Sequence, residues 1–205
     1  MKKLIWFTTA TILFLVFLFP AVLAMGIKLI PNGDQPGYNS DQRLGVYGIR
    51  DISQKFISEK ANLSAIGTSI RNPNLQNKKD IIFTLFDEKM NIVRTTIING
   101  RNVEDGNFIK FVFEPIFDSK NKTYTFEIVS PDAGPGDTIE VFYVENGISL
   151  QSMPNWIVEY TYDKKIHKGG LPIVLYFKPT SKFEIIKEIY TNLFSRFQSL
   201  DSQKI

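Results

Sequence analysis

The feature that most constrains this fold is a series of short strand-like segments separated by turn residues. Apolar and polar residues alternate within them: Ile109, Phe111 and Phe113 share one face, and Lys110 lies on the other. A period of two is typical of a strand with one buried face. The predicted strands cover residues 44–49, 52–57, 62–71, 80–87, 91–98, 108–116, 123–130, 138–144, 157–162 and 171–177.

The connections between these strands favour turns rather than helices. The segment NGRNVEDGN at 99–107 supplies Asn-Gly and Asp-Gly pairs, which tolerate positive φ. The segment PDAGPGD at 131–137 is rich in Pro, Gly and Asp and predicts a loop. Short strands at this spacing, with no helix between them, predict an all-β protein built as an antiparallel β-sandwich.

The N-terminal segment predicts export. Residues 4–24 are apolar apart from three threonines, and a helix of that length spans a hydrocarbon core of about 30 Å. Lys2 and Lys3 favour a cytoplasmic N-terminus, which leaves the rest of the chain outside the membrane. Pro20 and the small residue Ala24 leave a cleaved signal peptide, and secretion, as the alternative. We expect a retained single-pass anchor, with the domain on the extracytoplasmic side.

The C-terminal segment departs from the strand pattern and predicts an amphipathic helix. Ser181 and Glu184 form a capping box that marks its start. Apolar residues then recur at helical spacing: Phe183, Ile186, Tyr190, Leu193 and Phe197. This stripe either packs on the sandwich or binds a membrane-protein partner, and a short coiled coil or an interfacial helix are further interpretations.

These observations divide the chain into four parts. Residues 1–29 are the signal-anchor or signal peptide, and 30–43 are a linker rich in Pro, Gly and Asn. Residues 44–178 are the sandwich domain, and 179–205 are the C-terminal helix.

Composition excludes several classes of function. The chain has no cysteine and a single histidine, so neither a disulfide framework nor a zinc site is expected. Its net charge of +3 is too small to indicate a nucleic-acid partner. No Gly-x-Ser-x-Gly motif flanks a serine, and His167 in KKIHKGG is expected in an exposed loop, so no catalytic residue is identified. A hydrolase with an unrecognised pair of carboxylates remains a minor interpretation.

Two candidate binding sites follow from side-chain chemistry. Aromatic rings can stack on the apolar face of a sugar, and nearby polar groups can bind its hydroxyls. The carbohydrate candidates are Asn155, Trp156, Tyr160, Tyr162 and Asp163. The aromatic members are equally suited to the core, so sugar binding requires Trp156 or Tyr160 to be exposed beside a groove. Loop carboxylates are hard oxygen ligands, and the candidates for a calcium site are Asp118, Asp132 and Asp137.

Three further motifs carry a resemblance. They are Gln54-x-Phe56, Phe111-x-Phe113-x-Pro115-Ile116 and the turn Asp118-Ser119-Lys120 that leads to Tyr124. With them, residues 45–178 resemble the exported, jelly-roll-like β-sandwich domains of uncharacterised bacterial membrane proteins, some of which are polytopic and glycosyltransferase-like. The resemblance implies an architecture rather than a reaction, and with one hydrophobic span no transferase activity carries over.

The favoured function is therefore non-enzymatic. We expect an envelope protein whose sandwich binds a glycan or a glycan-handling membrane partner. The alternative is an assembly subunit of a membrane complex that docks through its C-terminal helix. That alternative requires the apolar stripe on 183–197 to be left uncovered by the sandwich.

Overall fold

The computed structural model describes residues 2–36, 41–145 and 153–202, without the side chains of 145, 192 and 195–202. The chain divides into two compact units. A helical unit combines the chain up to Ile30 with the chain from Lys178 onward, and a sandwich unit comprises Pro31–Phe177.

The sandwich unit consists of antiparallel strands in two main sheets, which confirms the predicted fold class. The strands are β1 (Ile30–Pro31), β2 (Arg43–Val46), β3 (Ile52–Ile57), β4 (Leu63–Arg71), β5 (Asp80–Phe86), β6 (Ile92–Asn99), β7 (Asn107–Ile116), β8 (Thr123–Val129), β9 (Ile139–Phe142), β10 (Val144–Glu145), β11 (Ile157–Tyr162), β12 (Lys165–His167), β13 (Gly169–Gly170) and β14 (Ile173–Phe177). The front sheet has the order β12-β11-β3-β8-β5-β6. The back sheet contains β14, β4, β9 and β2, with β7 also paired to β4.

Aromatic side chains fill the space between the sheets. Phe83 of the front sheet stacks on Phe111 of the back sheet, with ring centroids 4.6 Å apart. Phe126 lies beside Phe83 at 5.4 Å, and all three rings are fully buried. Burying a phenylalanine contributes about 1.5–3 kcal/mol, so this cluster is a principal source of stability. The predicted alternation holds in β8, where Phe126 is buried while Thr125 and Glu127 are partly exposed.

Buried asparagines supply hydrogen-bond partners for backbone groups of the loops at one end of the sandwich. The Asn72 amide donates to the carbonyls of Asn77 and Gly100, both at 3.0 Å, and its oxygen accepts from the Asn77 amide at 2.9 Å. Asn77 in turn packs against Gly100: a Cβ added there would lie 2.6 Å from the Asn77 carbonyl oxygen. Because buried backbone groups need partners, these two asparagines replace ladder bonds that the loops cannot form.

Two local expectations differ from the structure. The predicted strand 44–49 ends at Val46, because residues 47–50 form a turn closed by a Tyr47–Arg50 bridge. His167, expected in an exposed loop, lies in β12, where its half-buried ring stacks on Tyr160 at 5.1 Å.

The predicted linker 30–43 also differs in part. Asn32 is buried, and its oxygen accepts from the Leu175 amide at 3.0 Å. The described residues 31–36 therefore belong to the sandwich unit. Residues 37–40 of that linker lie outside the described residues.

The helical unit contains two long helices. α1 (Lys2–Gly26) is the one helix among the described residues that is long and apolar enough to cross a membrane. α2 (Lys182–Ser202) begins at the predicted capping box, where the Ser181 hydroxyl accepts from the Glu184 amide at 3.3 Å. The Glu184 carboxylate closes the cap by accepting from the amide and hydroxyl of Thr180, at 2.7 and 2.8 Å.

Candidate functional site

The structure removes the two residues on which the aromatic sugar site depended. Trp156 is 5% exposed and Tyr160 is 2% exposed, so neither ring can stack on a sugar from solvent. Tyr160 packs between Tyr143, at 5.8 Å, and His167. Both predicted residues are core residues, and the interpretation of this cluster as a carbohydrate platform is wrong.

The other three carbohydrate candidates do not converge. Tyr162 is half-buried, and its hydroxyl donates to the Gly45 carbonyl at 2.9 Å. Asn155 precedes β11 and Asp163 follows it, and both are exposed. A strand of six residues spans roughly 20 Å, so these two side chains lie at opposite ends of it.

The predicted calcium ligands are not brought together either. Among the described residues, no three acidic or histidine side chains form a group that could hold a metal ion. Asp118 instead pairs with Lys122, which holds the pKa of that carboxyl below its usual range. Asp132 and Asp137 belong to the 131–137 loop, as the sequence indicates. The set of Asp118, Asp132 and Asp137 therefore does not form the proposed site.

A groove that the sequence analysis missed crosses the outer face of the front sheet. It has a volume of about 330 Å³. Its floor comes from three adjacent strands, β3, β8 and β11, and the β5–β6 hairpin borders it with Glu88 and Met90. The floor residues are Ser53, Lys55, Thr123, Thr125, Glu159 and Thr161.

Strand register explains why these side chains meet. Lys55 lies directly opposite Thr125 on one side and Glu159 on the other. Ser53 lies between Glu127 and Thr161 in the same way. Side chains directly opposite each other on one face of a sheet are about 4.5–5.5 Å apart at Cβ, so each row is continuous.

The chemistry of the groove is that of a polar binding surface. Each hydroxyl can donate one hydrogen bond and accept two. The Lys55 ammonium and the Glu159 carboxylate lie 3.8 Å apart, and their side chains are 43% and 39% exposed. A surface pair at that distance is weak, so both groups can exchange this contact for a ligand.

A buried glutamine lies beneath the floor of the groove, on the core face of β3. Gln54 is fully buried, and its amide nitrogen donates to the carbonyls of Lys55 and Glu159, both at 2.8 Å. Its oxygen accepts from the Leu171 amide at 2.9 Å. The β11–β3 register shifts between Ile157 and Glu159, which is a β-bulge. Bulges redirect side chains, and Gln54 holds the backbone at this one.

Glu127 adds a titratable group at the end of one row. Burial is the main factor that raises its pKa above the usual range for a glutamate, and the negative charge of Asp51 adds to the effect. A carboxyl that protonates more readily can donate a hydrogen bond as well as accept one.

A larger neighbouring cleft, of about 470 Å³, is less suited to binding. Its carboxylates Asp87 and Asp118 are already used within the protein. Asp87 accepts from the backbone amides of Lys89 and Asn91, at 2.9 and 2.8 Å, and from the Asn91 side chain. Asp118 pairs with Lys122, as described above.

The back sheet carries exposed aromatic surface on its own outer face. Phe108 is 42% exposed, and its ring covers Gly67, where an added Cβ would lie 2.3 Å from a ring carbon. The Lys110 ammonium lies 3.9 Å from the centre of the Tyr176 ring. The period-two pattern of β7 could have found this patch, because it places Phe108 and Lys110 on the outward face.

Comparisons with known proteins add no family. No family model matches the chain, and no curated protein matches it. One similar structure is a carbohydrate-binding module in complex with β-1,4-galactotriose, at 10% identity and a TM-score of 0.32; the match covers 49% of this chain and 63% of that one. Another is the enzymatically active domain of tailspike protein 4 of bacteriophage CBA120, at 15% identity and a TM-score of 0.32, covering 56% of this chain and 16% of that one.

The chain therefore spans less than two thirds of each of these two structures. Their TM-scores are too low to identify a shared fold or ligand.

Proposed function

We propose that this protein is a membrane-anchored, extracytoplasmic binding protein of the bacterial envelope, and that its sandwich binds a glycan in the front groove. The observation that carries the proposal is the row of hydroxyl and charged side chains across β3, β8 and β11. Sugars present hydroxyl groups that both donate and accept hydrogen bonds, and the groove floor offers the matching partners. The length and apolar character of α1 support a retained anchor.

The proposal is non-enzymatic. Glycoside hydrolysis requires two carboxyls facing each other across the scissile bond, about 5–9.5 Å apart. Glu88 and Glu159 both line the groove, so cleavage is the competing outcome that a binding experiment has to exclude.

The test is glycan binding by the full chain in detergent micelles, first on an array of envelope oligosaccharides and then in solution. Thr125→Val and Thr161→Val each remove a groove hydroxyl while keeping the branched shape of the side chain. Losing one hydrogen bond of about 1 kcal/mol weakens binding about fivefold. Thr95→Val is the matched control, since Thr95 is exposed on β6 and does not line the groove.

Three results would contradict the proposal. Binding that survives both groove variants but is lost in Tyr176→Ala moves the site to the back sheet. Release of shortened oligosaccharide that Glu159→Gln abolishes makes the protein a hydrolase. Absence of binding to every glycan tested removes the glycan as the ligand.

An assembly role is the second candidate, because part of the α2 stripe is uncovered. Phe183 is 75% exposed, Leu193 48% and Phe194 62%. Phe197 belongs to the predicted stripe, but its side chain lies outside the described residues.

A further inference from the structure

α1 and α2 form an antiparallel helical hairpin. The Lys182 ammonium donates to the carbonyls of Ala24 and Met25, at 2.9 and 3.3 Å, and the Tyr190 hydroxyl donates to the Val16 carbonyl. Eight residues forward along α2 thus correspond to eight residues backward along α1. Lys182 also supplies partners for carbonyls at the end of α1, which lack intrahelical ones.

An apolar seam holds the two helices together. Ile185 is 1% exposed and packs with Ala24 and Ile30. Ile186, the next residue, and Ile189, one turn further along α2, pack against the same cluster. These contacts use one side of the α2 stripe and leave the adjacent side open.

The open side combines apolar and charged residues. Phe183, Lys187 and Phe194 are exposed, at spacings of four and seven residues. Residues at these spacings share one face of a helix. The polar flank next to this face begins at Glu188.

On the proposed anchor, the hairpin places Lys187 and Phe194 below the outer edge of the hydrocarbon core and Phe183 at that edge. A hydrocarbon core of about 30 Å takes about 20 residues of helix, so a span that starts at Leu4 ends near Leu23. Val16, and Tyr190 beside it, then lie about 10 Å below the outer edge of that core. Phe194 lies one further turn along α2, about 6 Å deeper.

Lipid alone is a poor environment for such a helix. Charged side chains inside a bilayer are strongly unfavourable unless they face protein or water, and α2 carries Lys187, Glu188, Arg196 and Asp201 beyond its first turn. The phenylalanines in turn disfavour water. A protein surface with apolar residues and at least one carboxylate opposite Lys187 satisfies both.

We propose that the face of α2 formed by Phe183, Lys187 and Phe194 packs within the membrane against a transmembrane helix of an integral membrane protein partner. The proposal rests on the retained anchor of the proposed function. It names the class of partner and the side of the hairpin that the partner covers.

The chain contains no cysteine, so in a single-cysteine variant a maleimide labels only the introduced position. Lys187→Cys and Phe194→Cys are the test positions. Lys89→Cys, in the exposed turn of the β5–β6 hairpin, is the control. Each is expressed as the full chain and labelled with a membrane-impermeant maleimide, once in native membranes made permeable on the outer side. It is then labelled after purification into vesicles of phosphatidylcholine and phosphatidylglycerol.

The expected result is protection of both α2 positions in native membranes and labelling at least about tenfold faster in vesicles, where the partner is absent. Rapid labelling in both preparations places α2 outside the bilayer and overturns the proposal. Protection in both, at every protein-to-lipid ratio, means that lipid covers the helix and also overturns it. Protection in vesicles that grows with the protein-to-lipid ratio assigns the face to a second copy, with the same consequence.

Mass spectrometry of the same samples separates this inference from the anchor. A mature chain that begins after Ala24 means that the anchor itself is wrong. An intact N-terminus with a labelled α2 refutes the intramembrane partner alone.

Discussion

Replacing Gln54 tests how the sandwich supports the groove. The Gln54 side chain is fully buried and makes three hydrogen bonds to backbone groups of β3, β11 and the segment before β14. In Gln54→Leu the shape is roughly kept, but all three bonds are lost. The buried Leu171 amide is left without its partner, at a cost of about 1–3 kcal/mol.

The loss of the hydrogen bonds to the carbonyls of Lys55 and Glu159 costs less free energy. Each hydrogen bond contributes about 0.5–1.5 kcal/mol net, and the added apolar contact of leucine offsets part of this. We therefore expect the free energy of unfolding to fall by about 2–4 kcal/mol, a large fraction of the 5–15 kcal/mol typical of a domain.

The assay is urea unfolding of the full chain in micelles, followed by tryptophan fluorescence. The chain has two tryptophans, and Trp6 of α1 is 77% exposed, so a Trp6→Phe background leaves the buried Trp156 as the reporter for the sandwich. Ser53→Ala is the control, because Ser53 is the neighbour of Gln54 on the outer face and surface changes are usually within about 0.5 kcal/mol. A loss below about 1 kcal/mol for Gln54→Leu would refute the reasoning.

Two further predictions concern Gly100 in the loops and the carboxyl of Glu127, next to the groove. Gly100→Ala should lower the free energy of unfolding by more than about 2 kcal/mol, because the new Cβ meets the Asn77 backbone, whereas Gly134→Ala, with open space around it, should have little effect in the same urea assay. Glu127→Gln should stabilise the protein near neutral pH. Because burial raises the pKa of Glu127 in the folded state, this carboxyl contributes to stability at pH values below the usual range of a glutamate pKa. That contribution is lost as the pH rises through the folded-state pKa. The melting temperatures of the wild-type protein and of Glu127→Gln, measured across pH, should converge in acid. A constant difference between them at every pH would contradict the raised pKa of Glu127.

Period-two alternation was sufficient to predict most of the sandwich. It located β3, β5, β7, β8 and β11 to within about one residue, because each of these strands has one face in the core. The short strand β13 was missed because it pairs with the distant strand β10. β12 pairs with the neighbouring β11 across the two-residue turn Asp163-Lys164, but its three residues are too few to show an alternating pattern. The exposure of His167 was therefore mispredicted, because its ring packs on Tyr160 across the β11–β12 pair.

The binding surface was harder to predict. Aromatic residues are the usual signal for a sugar site, but Trp156 and Tyr160 belong to the core. The groove is formed by the outward-facing residues of the same strands: Ser53 and Lys55 flank the buried Gln54, and Thr123 and Thr125 flank the buried Tyr124. Which outward-facing strands lie side by side is set by the sheet order β11-β3-β8, and no local pattern encodes that order.

The bulge in β11 links the stability of the sandwich to the groove. Ile157 and Tyr160 are both buried although three positions apart, which a regular strand does not allow. The extra residue, Val158, is 47% exposed. It shifts the inward–outward alternation of β11 by one position, so that Glu159 and Thr161 face outward. Because Gln54 holds the backbone at this point, Gln54→Leu should weaken ligand binding as well as folding, whereas Thr125→Val should weaken binding alone. Unchanged glycan affinity in a folded Gln54→Leu protein would mean that Gln54 does not position the β11 residues of the groove.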